Sequence, residues 1–408
     1  MSVWDVFRER GFFQQATDAD GLAAATAQGP ITGYIGFDPT ADSFHVGHLI
    51  PLMALMHLQR EGHRPIALVG GGTAMIGDPT GKNEMRKMLS EAELTANIAG
   101  LRKQLAGLLD FEGGAILANN ADWLRELHYI DFLREVGHHF SVNRMLTFET
   151  FRMRLEGAGL SFIEFNYPLL QSYDFLELHK RYGCILQLGG DDQWANIISG
   201  VDLVRRMARA TVFGWTFPLL TTASGEKMGK TERGAVWLDA AKTSPYEYYQ
   251  YWVNLADADV AKCLALFTLL PMAEVRRLSA LEGAEIRDAK AVLAYEATRL
   301  VHGEREAEKA RAGAQALFGK GGDVAEVPST RLAPARLNGG LALTEILPEV
   351  GLAKSKSDVR RLIRQGGVAV NDRTVADEGF AVDASHAAEG AILLRVGKKK
   401  YHRLVVEK

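Results

Sequence analysis

The sequence has little cysteine and no long apolar run, and these two absences exclude several classes of protein. Only two of its 408 residues are cysteines, too few for a disulfide framework and without the spacing of metal ligands. No apolar run approaches the ~20 residues of a membrane-spanning helix. The first ten residues carry acidic side chains and no apolar core, which argues against a signal peptide. We therefore expect a cytoplasmic protein in a reducing compartment, with no membrane partner.

An excess of charge of either sign is also missing. The chain has 47 Lys and Arg against 50 Asp and Glu, a formal net charge of −3. The molecule as a whole therefore has no nucleic-acid signature, and any contact with RNA must come from a local basic surface. With 47% hydrophobic and 24% charged residues, the composition is typical of folded globular protein. A length of 408 residues suits two or three domains.

Near the N-terminus, the order strand, helix, strand predicts a parallel sheet. A β-rich run at 31–37 ends in a turn, apolar residues from 49 to 56 follow helical spacing, and a second β-rich run occupies 65–69. Two β-rich runs joined by a helix within about forty residues favour a βαβ unit. The alternation resumes with a helix at 168–182, a strand at 185–188 and a helix at 192–207.

The pattern predicts an α/β fold class in four segments. Residues 1–222 form a Rossmann-like parallel-sheet domain, with a helical insertion at about 82–165. Residues 223–322 are mostly helical. A linker that contains Gly and Pro, at 323–341, leads to a small separate unit at 342–408.

The run His45-Val46-Gly47-His48 stands where the first predicted strand leads into the first helix of the sheet. Ligands of such sheets bind beyond the carboxyl ends of the strands, and a helix N-terminus offers N–H groups to phosphate. The glycine permits close approach of a nucleotide, and both histidines can donate hydrogen bonds to it. A pair of surface histidines is the alternative interpretation, but the position between strand and helix favours a nucleotide site.

A second motif, Lys227-Met228-Gly229-Lys230-Thr231, places two lysines three residues apart beside a glycine. Such a loop can close over a polyphosphate and neutralise charge on a leaving pyrophosphate. Taken alone, an ordinary solvated loop with basic residues explains the motif better. Its combination with the histidine motif changes that balance in favour of a nucleotide site.

Tyr167, Gln171 and Asp174 follow positions i, i+4 and i+7, so they lie on one face of a predicted helix. This polar face is either solvated or the wall of a pocket. As a pocket wall it suits a ligand that offers an ammonium group and a phenol, because both groups need hydrogen-bond acceptors.

The two motifs together resemble the paired signatures of class I aminoacyl-tRNA synthetases. Further runs make the resemblance specific to the tyrosyl-tRNA synthetases of bacterial type, and the match extends from near residue 10 to the end of the chain. The resemblance implies ATP with Mg²⁺, L-tyrosine and tRNA(Tyr) as substrates. It also implies no protein-bound metal or organic cofactor, no editing domain, and a homodimer built through the insertion. The further runs are Tyr34 with Asp38 and Thr40, Gly77-Asp78-Pro79-Thr80, 167–174 and 187–193.

The resemblance also implies a role for each matching residue. On the tyrosine side, Asp174 and the Tyr34 hydroxyl hold the phenol, while Asp78, Tyr167 and Gln171 hold the α-ammonium group. On the ATP side, Thr40 and His45 contact the γ-phosphate end, Gly47 and His48 support the adenosine, and Asp38 lies near the adenylate. Gly190, Asp192 and Gln193 bind the ribose and the reacting region, where Gln193 also contacts the tyrosine. The residues that clamp pyrophosphate are Lys82, Arg86, Lys227, Lys230 and Thr231.

One departure concerns the second motif, where Gly229 and Thr231 replace the serines of the general class I signature. We expect glycine at this position to make the open loop more mobile.

The C-terminal segment resembles an S4-type RNA-binding domain. Ser357 suits a helix N-cap, Gly366 suits the helix stop, and residues 368–375 alternate like a hairpin. Residues 354–408 hold 12 Lys and Arg against 7 Asp and Glu, so the segment is basic within an acidic chain. A solvated helix face is the alternative to phosphate contact. The candidate RNA-binding residues are Lys354, Arg360, Arg361, Arg364 and Arg373.

Three alternatives remain. A tryptophanyl-tRNA synthetase is not expected to carry Tyr34 together with the polar face at 167–174. A small adenylyl- or cytidylyltransferase has no reason to carry a helical domain and an S4-like unit. An RNA-binding relative that has lost catalysis is disfavoured, because every matching residue is chemically competent.

Overall fold

The structure, a computed structural model, divides into two compact units: residues 1–243 with 251–302, and residues 244–250 with 303–408. It describes residues 2–80, 88–157, 159–223, 225, 228–231, 234–318, 329–388, 390–397 and 400–407. Within these ranges, every helix is too short or too polar to cross a bilayer.

The first unit is built on a six-stranded sheet. Its strands are β1 Gln15–Ala16, β2 Thr32–Phe37, β3 Arg64–Val69, β4 Ile116–Asn119, β5 Cys184–Gly190 and β6 Phe213–Phe217. Their order across the sheet is β1-β6-β5-β2-β3-β4. All neighbours pair in parallel except β1, which runs antiparallel at one edge, so the predicted parallel sheet is confirmed. The chain order reverses between β2 and β5, and open parallel sheets bind ligands at such a reversal.

Helices cover both faces of this sheet in the usual way for crossover connections. The helix after β2 buries eight of its twelve residues, because it is apolar nearly all round. The helix before β5 ends at Gly183, which has φ of +62° and stops the helix in the left-handed region. The helices of this unit are α1 Val3–Arg10, α2 Ala19–Ala27, α3 Leu49–Arg60, α4 Glu91–Leu108, α5 Ala121–Leu124, α6 Tyr129–Glu135, α7 Val142–Met145, α8 Glu149–Glu156, α9 Phe162–Phe165, α10 Tyr167–Tyr182, α11 Trp194–Met207, α13 Asp257–Phe267, α14 Met272–Ser279 and α15 Ile286–His302.

The N-terminal segment is tied to distant parts of the same unit. Gln15 pairs with Thr216 in the edge of the sheet. The buried Arg10 guanidinium donates to the carbonyl oxygens of Ala265 and Thr268 at 2.9 Å each. Those carbonyls lie at the C-terminal end of α13, where the helix leaves acceptors without partners of its own. A cation placed there also suits the helix dipole.

The structure differs from the sequence prediction inside the expected insertion. Residues 82–165 were expected to be a mostly helical insertion between strands, and the structure places β4 there, paired in parallel with β3. Its four residues, Ile-Leu-Ala-Asn, are too few to show a strand period, so their pairing with β3 decides the conformation. The remaining described residues of this stretch are mostly helical.

The second unit has its own five-stranded sheet and its own apolar core. Its elements are α12 Pro245–Val253 (245–250 only), α16 Glu304–Phe318, β9 Ser329–Leu332, β10 Leu341–Ala342, α17 Leu343–Glu349, α18 Lys356–Arg364, β11 Val368–Val370, β12 Arg373–Thr374, β13 Ala381–Val382, β14 Ala391–Val396 and β15 Lys400–Val406. The strand order of the sheet is β12-β11-β14-β15-β9. Asn371 and Asp372 join β11 to β12 with φ of +45° and +63°, the geometry of a tight hairpin turn. Two further short strands, β7 Lys230–Thr231 and β8 Gly234–Ala235, belong to the first unit.

Two expectations for this unit need correction. Residues 323–341 were predicted to be a linker, but β9 pairs in parallel with β15, and Leu337 is buried in the same core. The N-cap of α18 is Ser355 and not Ser357, because the Ser355 hydroxyl accepts from the backbone N–H of Asp358 at 3.2 Å. Gly366 lies just beyond the helix end with φ of +66°, as its expected role as a stop requires.

Candidate active site

A cavity of about 540 Å³ opens where β2 and β5 diverge at their carboxyl ends. The ends of both strands and the face of α10 form much of its wall. Eleven of the residues singled out from the sequence line this one cavity: Tyr34, Asp38, Thr40, His45, His48, Asp78, Tyr167, Gln171, Asp174, Gly190 and Gln193.

The other candidate residues fall into three groups. Gly47 lies in the turn between the two histidines, and Asp192 lies in a short 3₁₀ turn that follows β5. Lys82, Arg86 and Lys227 lie outside the described residues. For Lys230 and Thr231 the structure describes the backbone, which forms β7 and pairs with β8.

The two histidines are held in fixed ring orientations by backbone donors. The Nδ1 atom of His45 accepts from the N–H of Gly47 at 3.0 Å, and the Nδ1 atom of His48 accepts from the N–H of His45 at 3.2 Å. In a neutral imidazole that accepts at Nδ1, the proton resides on Nε2. Both rings thus present Nε2–H as a donor, at the N-terminus of α3, a place that suits anions.

One end of the cavity is built around the buried carboxylate of Asp174. Its Oδ2 atom accepts from Asn120 Nδ2 at 3.0 Å and its Oδ1 atom from Trp123 Nε1 at 2.8 Å. Burial raises the pKa of Asp174 to about 8, although both hydrogen bonds act to lower it. The neighbouring Tyr34 is 1% exposed, and its hydroxyl finds no partner in the described part of the chain. Burial and then the Asp174 charge raise the pKa of Tyr34 well above its usual value.

A second polar network lies along α10 and the start of α11. Gln193 Nε2 donates to Asp78 Oδ2 at 2.8 Å, and Gln193 Oε1 accepts from Gln171 Nε2 at 3.3 Å. Asn196 Nδ2 donates to the carbonyl oxygens of both glutamines at 3.0 Å. The network holds one carboxylate and several amide groups at the cavity wall, which suits a ligand with an ammonium group.

Asp38 joins the end of β2 to the Asp174 network and to Tyr167 of α10. Its Oδ1 atom accepts from Thr73 Oγ1 at 2.8 Å, and its Oδ2 atom accepts from Tyr167 Oη at 3.0 Å. Thr73 Oγ1 in turn accepts from Asn120 Nδ2 at 2.9 Å. Burial, and next the Asp38 charge, raise the pKa of Tyr167 well above its usual value. The phenol therefore stays protonated and remains a donor.

Sequence reasoning missed four residues of this site, and it gave no role to a fifth, Gln187, which lies in the run 187–193. Asn120 and Trp123 support Asp174, and Thr73 supports Asp38. Gln187, opposite Tyr34 in the β2–β5 register, and Trp237 also line the cavity. The only signal available was their position: Asn120 follows a strand that was itself too short to recognise, and Thr73 follows Gly70–Gly72 at the end of β3.

The candidate RNA-binding residues of the second unit are all exposed. Arg361 and Arg364 form ion pairs with Asp358 and Glu378. Exposed pairs of this kind are weak and exchange easily for phosphate contacts. Among the described residues of the whole chain, no cluster of three or more His, Cys, Asp or Glu side chains could hold a metal ion.

Comparison with known proteins gives two family matches. Residues 26–319 match the model for class I tRNA synthetases (W and Y), and residues 322–404 match that for the tyrosine--tRNA ligase SYY-like C-terminal domain. A tyrosine--tRNA ligase of Clostridium botulinum (strain 657 / Type Ba4) is 55% identical over 409 residues, which is 100% of both chains. One of Clostridium kluyveri is 53% identical over 407 residues, again covering 100% of both.

Solved structures give the same picture. A C-terminally truncated mitochondrial tyrosyl-tRNA synthetase of Aspergillus nidulans matches with a TM-score of 0.71 and 32% identity, covering 78% of this chain and 94% of that one. A tryptophanyl-tRNA synthetase of Encephalitozoon cuniculi matches with a TM-score of 0.57 and covers 75% of this chain and 86% of that one. At 15% identity the second likeness shows the fold alone.

Proposed function

This chain belongs to the tyrosine--tRNA ligase family of class I tRNA synthetases, and we propose from its site how it performs that reaction. It activates L-tyrosine with ATP to tyrosyl-adenylate and pyrophosphate, and then transfers tyrosine to the 3′-terminal adenosine of tRNA(Tyr). The cavity that carries this proposal unites a polar end around Asp174 with a helix N-terminus bearing two oriented histidines.

Tyrosine binds with its ring between β2 and α10. The Asp174 carboxylate, held by Asn120 and Trp123, accepts from the substrate hydroxyl, and the neighbouring Tyr34 hydroxyl supplies a second contact. A ligand that lacks the hydroxyl leaves these buried groups unpaired, which disfavours phenylalanine, and tyrosyl-tRNA synthetases are themselves the standard example of this discrimination. At the other end of the amino acid, the ammonium group is held by Asp78, Tyr167 and Gln171 with Gln193.

In the activation step, a tyrosine carboxylate oxygen attacks the α-phosphorus of ATP as the bond to the pyrophosphate oxygen breaks. This reaction needs no protein nucleophile, so the enzyme acts by positioning and by stabilising charge. The Nε2–H groups of His45 and His48 donate to the polyphosphate and the nucleotide, and Thr40 lies beside them. Asp38, Gly190 and Asp192 hold the nucleoside, with Gly47 permitting its approach. Mg²⁺ enters with ATP as part of that substrate.

The pyrophosphate clamp is completed by Lys82, Arg86, Lys227, Lys230 and Thr231. In the second step, a ribose hydroxyl of the terminal adenosine attacks the adenylate carbonyl, and AMP leaves. The second unit binds the RNA backbone through Lys354, Arg360, Arg361, Arg364 and Arg373.

Exchange of labelled pyrophosphate into ATP, run with each of the twenty amino acids and without tRNA, tests the proposal. We expect exchange with tyrosine alone. Exchange with tryptophan would keep the activation chemistry and overturn the pocket assignment. Folded protein that exchanges with no amino acid would overturn the enzymatic proposal and favour a non-catalytic RNA-binding protein.

We further propose a homodimer built through the 129–162 segment. Of the twelve exposed large apolar side chains among the described residues, eight lie in this segment, and exposed apolar surface of this kind marks interfaces. A buried, bidentate ion pair between Arg154 and Glu164, at 2.6 and 3.0 Å, fixes the shape of the segment.

A charge placed in this segment is expected to separate the subunits. Ile130 is 70% exposed. A glutamate at this position would be costly to bury in an interface, so Ile130→Glu should shift the protein to monomers. Light scattering coupled to gel filtration measures this shift. Met88→Glu is the matched control, because Met88 is 67% exposed but lies outside the segment. A monomeric wild type, or equal dissociation in both variants, would contradict the assignment.

A further inference from the structure

The two sequence motifs touch each other through their backbones at Gly229. A Cβ atom added at Gly229 would lie 2.8 Å from the backbone nitrogen of Gly47 and 3.2 Å from the Cβ of Val46. Neither obstacle is the end of a flexible side chain, and Val46 is fully buried. Any residue other than glycine at position 229 would therefore have to move away from the histidine turn.

A chain of backbone hydrogen bonds runs along the same contact. The carbonyl oxygen of Gly229 accepts from the N–H of Val236 at 2.9 Å, and the carbonyl oxygen of Val236 accepts from the N–H of Val46 at 2.9 Å. On its other side, the N–H of Gly229 donates to the hydroxyl oxygen of Tyr251 at 3.2 Å. Gly229 is thus held against the histidine turn by packing and through Val236, and its N–H is held on the other side by Tyr251.

The contact extends to the cavity wall. Directly after Gly229, β7 pairs with β8, with Lys230 opposite Ala235 and Thr231 opposite Gly234. Ala235 and Trp237 line the cavity, and Trp237 forms an antiparallel bridge with His45. The segment 234–237 pairs with β7, accepts Gly229 as a backbone partner through Val236 and bridges to His45. This segment therefore sets the position of β7 relative to His45.

We propose that Gly229 is a positioning residue for the activation step. Its missing side chain lets the second motif dock on the His45–His48 turn, and the docked position aligns the backbone of β7 with the two histidines. This inference rests on the proposed function and deepens it. The sequence predicted that glycine makes the open loop more mobile, and the contact adds close packing as a separate requirement for glycine. Gly229→Ser, which restores the residue of the general class I signature, should therefore impair the enzyme.

Gly225 offers a matched control in the same stretch of chain. Its φ is +85° against +86° for Gly229, so alanine meets an unfavourable positive φ at both positions. A Cβ at Gly225, however, meets no atom of the described residues within 4 Å. The difference between Gly229→Ala and Gly225→Ala consequently isolates the contact with the histidine turn.

Tyrosine-dependent pyrophosphate exchange, tyrosine affinity by equilibrium dialysis without ATP, and thermal melting should be measured for both variants. We expect Gly229→Ala to lower kcat for exchange at least about tenfold more than Gly225→Ala does, with tyrosine affinity unchanged. Tyr251→Phe, which removes only the acceptor of the Gly229 N–H, should lower kcat in the same selective way by about two- to threefold, and it remains informative if Gly229→Ala does not fold.

Equal kcat for the two alanine variants, or a parallel loss of tyrosine affinity in Gly229→Ala, would overturn the inference while leaving the proposed function intact. If Gly229→Ala does not fold, unchanged kcat in Tyr251→Phe would overturn it. A wild-type protein without exchange would overturn the proposed function itself.

Discussion

Asp174→Asn should remove most tyrosine activation while leaving the fold in place. Both carboxylate oxygens of Asp174 already accept from protein donors, Oδ1 from Trp123 and Oδ2 from Asn120. An asparagine must therefore turn its NH₂ group towards one of those donors. It also cannot become the charged acceptor that Asp174 provides above its pKa of about 8, so the variants are compared at about pH 9. Loss of a charged hydrogen bond in a buried site costs about 1.5–3 kcal/mol, so kcat/KM for tyrosine should fall roughly 10- to 150-fold.

Pyrophosphate exchange with tyrosine and with phenylalanine measures this effect. Discrimination between the two amino acids should shrink in Asp174→Asn, because the substrate hydroxyl group then contributes less binding energy in the pocket. Asp122→Asn provides the control, since Asp122 is an exposed carboxylate on the short helix α5 that also carries Trp123. Unchanged discrimination in Asp174→Asn would place the phenol elsewhere in the cavity.

Removal of residues 319–408 should abolish tRNA charging and spare adenylate formation. The cavity residues all lie in the first unit, whereas the proposed RNA contacts lie in the second. The cut must precede β9, because that strand pairs with β15 and would otherwise be left with an open edge. We expect kcat/KM for charging to fall at least about 100-fold, which corresponds to about 2.7 kcal/mol of lost contacts.

The measurement compares charging of tRNA with pyrophosphate exchange on the same preparation. Equal loss of both activities would mean that the second unit is structural. A full-length double variant, Arg360→Gln with Arg364→Gln, tests the surface without a cut and should weaken charging with a smaller dependence on salt. Arg336→Gln serves as its control, because Arg336 is an exposed arginine of the same unit that pairs with Glu349.

The central strands and α10 could be predicted from the sequence, because the spacing of apolar and polar residues along them follows their burial in the fold. β2, β3 and β5 are short β-rich runs of mostly buried residues, and the polar face of α10 keeps its spacing in the cavity wall. The same reasoning could not find Asn120 and Trp123. They lie 54 and 51 residues before Asp174, and only the packing of α5 and β4 against α10 brings them to that carboxylate.

Gly229 illustrates a different limit of sequence reasoning. Glycine is compatible with mobility, with positive φ and with close packing, and the residue type alone does not distinguish these reasons. The φ angles of Gly225 and Gly229 are nearly the same, yet of the two only Gly229 faces another backbone among the described residues. The deciding partner, Gly47, is far away along the chain.

The tie between the N-terminal segment and distant residues has a consequence for synthesis on the ribosome. Gln15 and Ala16 meet their partners in β6 only after about 200 more residues have been added, and Arg10 awaits carbonyls at 265 and 268. At translation rates of about 5–20 residues per second, the emerging N-terminal segment spends roughly 10–50 s without those contacts. Trp4, Phe7 and Phe12, all buried in the finished fold, are exposed or only loosely covered during that interval. The nascent chain is therefore a natural client for chaperones that hold apolar segments until the last strand of the first sheet has been made.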